Sequence, residues 1–536
     1  MTIGRRDLLF ATLVLGGAST LAANLAPPRL SPLAAASKPI EPRPEATVQV
    51  DRALRGRWSE AGIVPAKRAP DLAVMRRLSL ALTGTVPSLE EIRRFEAGPP
   101  IDRARRWLDE LLRDPRSADY LAERLARAFV GIEGGPFIVY RRRKFVAWLS
   151  DELRRNRPYD ELVRDLIAGR GLWTDHPSTN FVTVTFDPAR QKYDAERLAA
   201  RVARSFLGIR IDCAQCHDHP FQSWKRADFW GIAAYFGQVG PSFSGIADGT
   251  GEFTVDDRKD NKPIAIEPRV PYLPGLDPKF GTRRERLARW VTHPANPNFA
   301  IAAANRAWAL IFGRPLVEPI DDLPVAFDPP PALAILAEDF ASHGFDLRRL
   351  LRSIASTEAF ALDSAADGDP APSEEREQAW AAFPMTRLRP EQVAGALQQA
   401  ASTETIDSGS PLLVRLAAFG GVNDFVARHG DPGEEEFHLE GTSTIPQRLL
   451  MMNGDLVQKN IREDLVNASA RIAALAPTDA KAVEAAYLAI LTRRPFLEEL
   501  DHFRGRLEAT TGDERKRRLT DLSWALLNAS EFSWNH

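Results

Sequence analysis

"AERLAARVARSFLGIRIDCAQCHDHPFQSW" (195–224) holds the reading that decides the fold. Its first half is a helix pattern: Asp194 stands ready as N-cap, Leu198, Val202 and Phe206 form one apolar stripe, and Gly208 is a suitable stop. Its second half carries the only two cysteines among 536 residues, in a Cys-x-x-Cys-His unit of Cys213, Cys216 and His217, with His219 two places on. The motif is therefore expected just past a helix end, before a second helix at about Ala227–Phe236.

Helical spacing continues on both sides. In "LAVMRRLSLALTGTVPSLEEIRRFEAG" (72–98), Leu72, Met75, Leu78 and Leu82 keep one face, Gly84 and Pro87 end the run, and Ser88 with Glu90 and Glu91 caps the next helix. Further helices are predicted around 103–113, 117–130, 145–155 and 159–168, whereas "STNFVTVTF" (178–186) alternates like a short strand or extended connection. Between about 240 and 275 Gly, Pro, Asp and Thr take over, as in a β-hairpin or a long connecting loop. The chain is helical again from Thr282, broken by a Pro-rich turn at 328–331 and a Gly/Glu-rich loop at 429–442. No repeat of solenoid length is visible. The expected fold is mainly α: two helical domains, 48–240 and 282–536, joined by a Gly/Pro-rich segment, 241–281, with a candidate hairpin.

The leader "MTIGRRDLLFATLVLGGASTLAANLAPPRL" (1–30) sets Arg5 and Arg6 before an apolar run from Leu8 to about Ala26. That is the layout of a bacterial export signal of twin-arginine type, read here as 1–36 and followed by a Pro/Ala-rich linker, 37–47. Export to the periplasm or cell envelope places the thiols in an oxidising compartment. The leader, if uncleaved, is the sole expected membrane contact. A formal net charge of −2 gives no basic field, and nucleic-acid binding is not expected. The run Arg141–Lys144 reads as a solvated helix face.

Three chemistries remain open for the motif. Two thiols three residues apart can each add to a vinyl group of one porphyrin, with His217 as the proximal iron ligand of a haem c, in a protein passing electrons to an extracytoplasmic redox partner. His219 cannot readily reach the opposite face, so Met451, Met452, His438 and His176 are the distant candidates for a sixth ligand. A metal-ion reading recruits His217 or His219; a zinc site would take Cys213, Cys216 and His219 plus a fourth ligand. A Cys213–Cys216 disulfide in a non-catalytic secreted protein, with no cofactor, is the third. Folded export and thioether attachment are compatible only if the motif stays accessible in the folded chain.

Weaker signals accompany these. Phe221, Trp224, Phe229, Trp230 and Phe236 read as a macrocycle wall or, more simply, as core. Glu318, Asp321 and Asp322 read as capping and pairing with Arg306 or Arg314 rather than as a Ca²⁺ site. No G-x-S-x-G elbow occurs, although "FSGIADG" (243–249) has a superficial likeness to one.

"MRRLSLALTGTVPSLEEI" (75–92), "NRPYDELVRDLIAG" (156–169) and "FLGIRIDCAQCHDHPFQSWKRADFWGIAAYF" (206–236) together resemble the cytochrome-associated secreted family first noticed in planctomycetes, domain of unknown function 1549. "NRAWALIFGRPLVEPIDDLP" (305–324), "STIPQRLLMMNGDLV" (443–457) and "DLSWALLNASEFSWNH" (521–536) resemble its usual C-terminal companion, domain of unknown function 1553. The resemblance implies a mostly helical exported protein. The chain departs from the family pattern at "ERLARAFVGIEGG" (123–135), where a Trp-Leu-Asp and Arg-Tyr-Ala-Asp stretch is usual.

Overall fold

The computed structural model describes residues 41–536 apart from 133–139, 220–222, 257–261, 325–326, 365–373, 411–420, 431–443 and 462–466. The structure is mainly helical, and its sheets are small two-stranded pairs. No helix among the described residues is long and apolar enough to cross a membrane.

Local chemistry explains the main elements. Ser88 and Glu91 form a reciprocal capping box at the head of Leu89–Ala97, and Thr282 with Glu285 does the same for Arg283–Val291. Asp194 accepts from the backbone N–H groups of Glu196 and Arg197 and starts Ala195–Val202. The end of that helix differs from a plain α-helix. Residues Ala203–Leu207 widen into a π turn before Gly208 stops the chain at φ +65°. Two hairpins, Val239–Ser242 with Gly245–Asp248 and Phe253–Asp256 with Pro263–Ile266, fill the stretch that composition marked as hairpin or loop.

The predicted strand at 178–186 is instead a 3-10 turn, Pro177–Thr179, running into a helical turn, Asn180–Thr183. Every residue from Ser178 to Thr185 is buried, so no solvent face exists for the alternation to mark. The Asn180 amide also accepts from Arg141 N–H and donates to the Pro177 carbonyl, satisfying local backbone groups that a strand would pair. Only Phe186–Asp187 is extended, paired with Lys192–Tyr193.

The two helical stretches share one continuous core, running from Val50 to Phe532. Helix Glu45–Ala61 begins inside the expected 37–47 linker, because its buried face lies against Pro331–Ser342. Trp58 Nε1 donates to the Ala379 carbonyl at 2.8 Å, and Thr47 Oγ1 to the Ser353 carbonyl at 2.9 Å. Arg77, fully buried on Asp71–Thr83, stacks 3.8 Å from the Phe383 ring and donates to the carbonyls of Phe360, Leu362 and His536. These long-range ties hold the early helices onto the later ones.

Candidate functional site

Gly208 turns the chain out of the π turn, and its carbonyl accepts from Leu323 N–H at 2.7 Å. Ile209 and Ile211 then point into the core, while Arg210 between them pairs with Asp321 at 2.8 Å. Asp212–Gln215 form one 3-10 turn with Ala214 fully buried beneath it. Cys213 lies within this turn and Cys216 directly follows it as the C-cap residue. Both thiols are free and exposed, and the His217 ring is exposed next to them.

Hydrogen bonds fix this segment at several points. Gln215 Nε2 donates to Glu196 Oε2 at 2.7 Å, binding the turn back to the preceding helix. Burial, followed by the Asp194 charge, holds the Glu196 carboxyl above its ordinary range. His217 Nδ1 lies 2.8 Å from the Asp218 carbonyl oxygen; with that nitrogen protonated, Nε2 is the one directed to a ligand. The Asp218 carboxylate accepts from Arg226 N–H at 2.8 Å and faces Lys225 Nζ at 3.4 Å. The Arg226 hydrogen bond is the chief cause of its lowered pKa. His219 N–H donates to the Trp224 carbonyl at 2.8 Å and closes the loop. Helix Arg226–Ala233 follows, with Asp228 accepting from Lys225 N–H, and packs against the 3-10 turn.

The structure thus groups Cys213, Cys216 and His217 at the surface, with His219 half-buried in the loop that follows. Among the described residues no group of three or more His, Cys, Asp or Glu side chains is arranged to hold a metal ion. Of the candidate sixth ligands, His176 is exposed, Met451 is buried in the core of the C-terminal half, and Met452 is exposed. His438 lies outside the described residues, as do Phe221 and the neighbouring Pro220 and Gln222. Trp224, Phe229, Trp230 and Phe236 are core, not an open wall.

Asp321 pairs with Arg210, not with the expected Arg306 or Arg314. Arg306 donates to the Ser205 carbonyl and Arg314 to the Glu377 carbonyl. Ser244 sits in a hairpin turn, bonded to Ser242, with no nucleophile elbow around it. Sequence reasoning missed Asp218, Gln215 and Glu196 as positioning groups. The Lys225-Arg226-x-Asp228 helix start was the legible hint for the first.

This is a helical chain with a surface-borne Cys-x-x-Cys-His turn, and two family models match it in the expected order. PSCyt2, a protein of unknown function (DUF1549), matches residues 49–240, and PSD1, a protein of unknown function (DUF1553), matches 283–417. The chain thus carries a DUF1549 match followed by a DUF1553 match. No curated protein and no solved structure matches it.

Proposed function

We propose that the chain is an exported redox protein carrying a c-type haem on Cys213 and Cys216, with His217 as the proximal ligand. One observation carries the reading: two free thiols and an adjacent imidazole are all exposed on a segment otherwise anchored by buried Ile209, Ile211 and Ala214. That exposure reconciles export in the folded state with attachment afterwards.

Attachment would add the S–H of Cys213 and of Cys216 each across one vinyl double bond. A carbon–sulfur bond forms, the thiol hydrogen passes to the other vinyl carbon, and no electrons enter or leave. Once bound, the haem supplies one-electron transfer. The chain's own part is positional. The Asp218 carbonyl sets the His217 tautomer and ring direction, and the Asp218 carboxylate pins the loop to the start of Arg226–Ala233. A surface position of Cys213, Cys216 and His217 would keep a bound group within reach of an extracytoplasmic redox partner.

The test is expression in a periplasm equipped for cytochrome c maturation, followed by the alkaline pyridine spectrum. One haem per chain in the parent and none in the Cys213→Ser/Cys216→Ser variant supports the reading. A colourless parent overturns it, and its bound elements and thiol titre then decide between an ion and a disulfide.

A further inference from the structure

Phe243 stands at the tip of the hairpin formed by Val239–Ser242 and Gly245–Asp248, and its ring is fully exposed. The hairpin beneath it is held firmly. Gly171 and Ile246 exchange both backbone hydrogen bonds at 3.0 Å, and the Ile246 side chain is buried. Gly245, at φ +100°, lies so close to Gly171 that a Cβ there would overlap the Gly171 carbonyl. Across the turn Ser242 Oγ donates to the Gly245 carbonyl at 2.9 Å. Leu172, the next residue after Gly171 at this junction, is exposed as well. A ring fixed in water gives up little freedom on entering an apolar phase and gains its whole transfer free energy there.

The surroundings of the tip are basic. Arg141 lies 5.1 Å over the Trp173 ring, and the helix that it precedes, Arg142–Arg154, packs against Pro177–Thr179. Arg143 and Lys144, in the first turn of that helix, are exposed and form no ion pair among the described residues. Strand Lys192–Tyr193 lies beside Val239–Ser242, and Lys192 is likewise exposed without an ion pair among the described residues. The other cations here are matched: Arg142 by Glu123, Arg170 by Asp248 and Glu285, and Arg190 by Asp187. Asp175 is an exposed carboxylate of the same stretch, and Glu252 lies beyond the far end of the hairpin.

We propose that this face docks on an anionic lipid surface. Phe243 and Leu172 enter the boundary of the acyl chains, and Arg143, Lys144 and Lys192 face the lipid phosphates. Two exposed apolar side chains on a protruding tip fall far short of the roughly 800 Å² per partner of a stable protein interface, whereas a bilayer needs no matching shape. The contact is one besides the leader. It shares no residue with 211–224 and stands independently of the haem reading.

Phe243→Trp in the full chain places a reporter at the tip, and the leader itself contains no tryptophan. The emission of this variant minus that of the parent is followed as vesicles of phosphatidylcholine with phosphatidylglycerol are added, with and without brominated acyl chains. A blue shift of the difference spectrum, quenched by the bromines, is expected. Vesicles of phosphatidylcholine alone should bind at least about tenfold more weakly, and adding Arg143→Gln and Lys144→Gln should raise the half-effect lipid concentration by about thirtyfold. An unshifted and unquenched difference spectrum overturns the proposal, as does equal binding to the two vesicle types. Self-association without lipid that Phe243→Ser abolishes also overturns it, because the tip is then a contact between copies. Every substituted side chain is exposed, so the fold does not depend on it.

Discussion

His217 Nδ1 sits 2.8 Å from the carbonyl oxygen of Asp218, its next neighbour along the chain, so the ring's outward nitrogen is Nε2. A ligand nitrogen is usually oriented by the hydrogen bond its partner nitrogen makes, and here the backbone itself supplies that bond. If haem is attached as proposed, His217→Ala should keep the covalent attachment and alter the absorption spectrum. Added free imidazole should restore the parent spectrum. Failure of imidazole to change the variant's spectrum would speak against His217 as the ligand.

Because Cys213 and Cys216 are exposed and unbonded, replacing both by serine should cost less than about 0.5 kcal/mol in the haem-free chain. Urea unfolding of the two forms checks this. A loss of several kcal/mol would mean that the sulfurs brace the fold, the structural role that competes with ligand attachment.

Gly208 should resist substitution. Its φ of +65° costs a residue with a side chain about 1 to 2 kcal/mol, and an added methyl would meet Leu323 Cδ1 at 3.1 Å and Ala302 Cβ at 3.2 Å. Gly208→Ala is expected to destabilise by at least that amount in urea titrations. Since the same residue aims the chain toward the cysteines, haem loading should fall in parallel.

Much of this region was open to reading in advance because its signals are local. Asp194 as a cap, the 198/202/206 stripe and Gly208 as a stop depend on residues a few places apart. The 178–186 segment was misread for the opposite reason: it is buried on every side, and its side chains bond to Arg141 and Pro177, which periodicity cannot report. Cys-x-x-Cys-His was visible as a motif, but its exposure depends on Ala214, Ile209 and Ile211 taking the inward positions. The pairing of Arg210 with Asp321, more than a hundred residues on, leaves no local trace at all.

Arg77 offers a test of the shared core. Its guanidinium serves carbonyls at 360, 362 and 536 while stacked on Phe383, and burial lowers its pKa. Arg77→Met removes the donors and strands those oxygens, a loss on the order of 3 kcal/mol. One cooperative transition, shifted to lower urea, is expected. Two separated transitions would show that the helical stretches unfold independently.

His429 predicts an acid effect of known sign. Burial, aided by the nearby Arg387 charge, lowers its pKa to about 4, and the ring stacks 5.3 Å from Phe425. Between the unfolded-state value near 6.5 and about 4, the unfolded chain takes up a proton that the folded chain refuses. Stability therefore falls as pH drops through that window, by at most on the order of 3 kcal/mol, and levels off below it. His429→Phe should flatten this part of the pH profile. An unchanged slope would mean that the ring is charged in the folded protein.

Trypsin cuts after Arg210 and Lys225, releasing the peptide Ile211–Lys225 with both cysteines and His217 inside it. The mass of that peptide, taken from protein matured in a periplasm with haem attachment machinery, is the most direct measurement. An increase of one haem, retained after acid-acetone extraction, is the expected result. An unmodified dithiol, or a peptide lighter by two hydrogens, would contradict attachment and leave the surface turn a structural or disulfide-forming one.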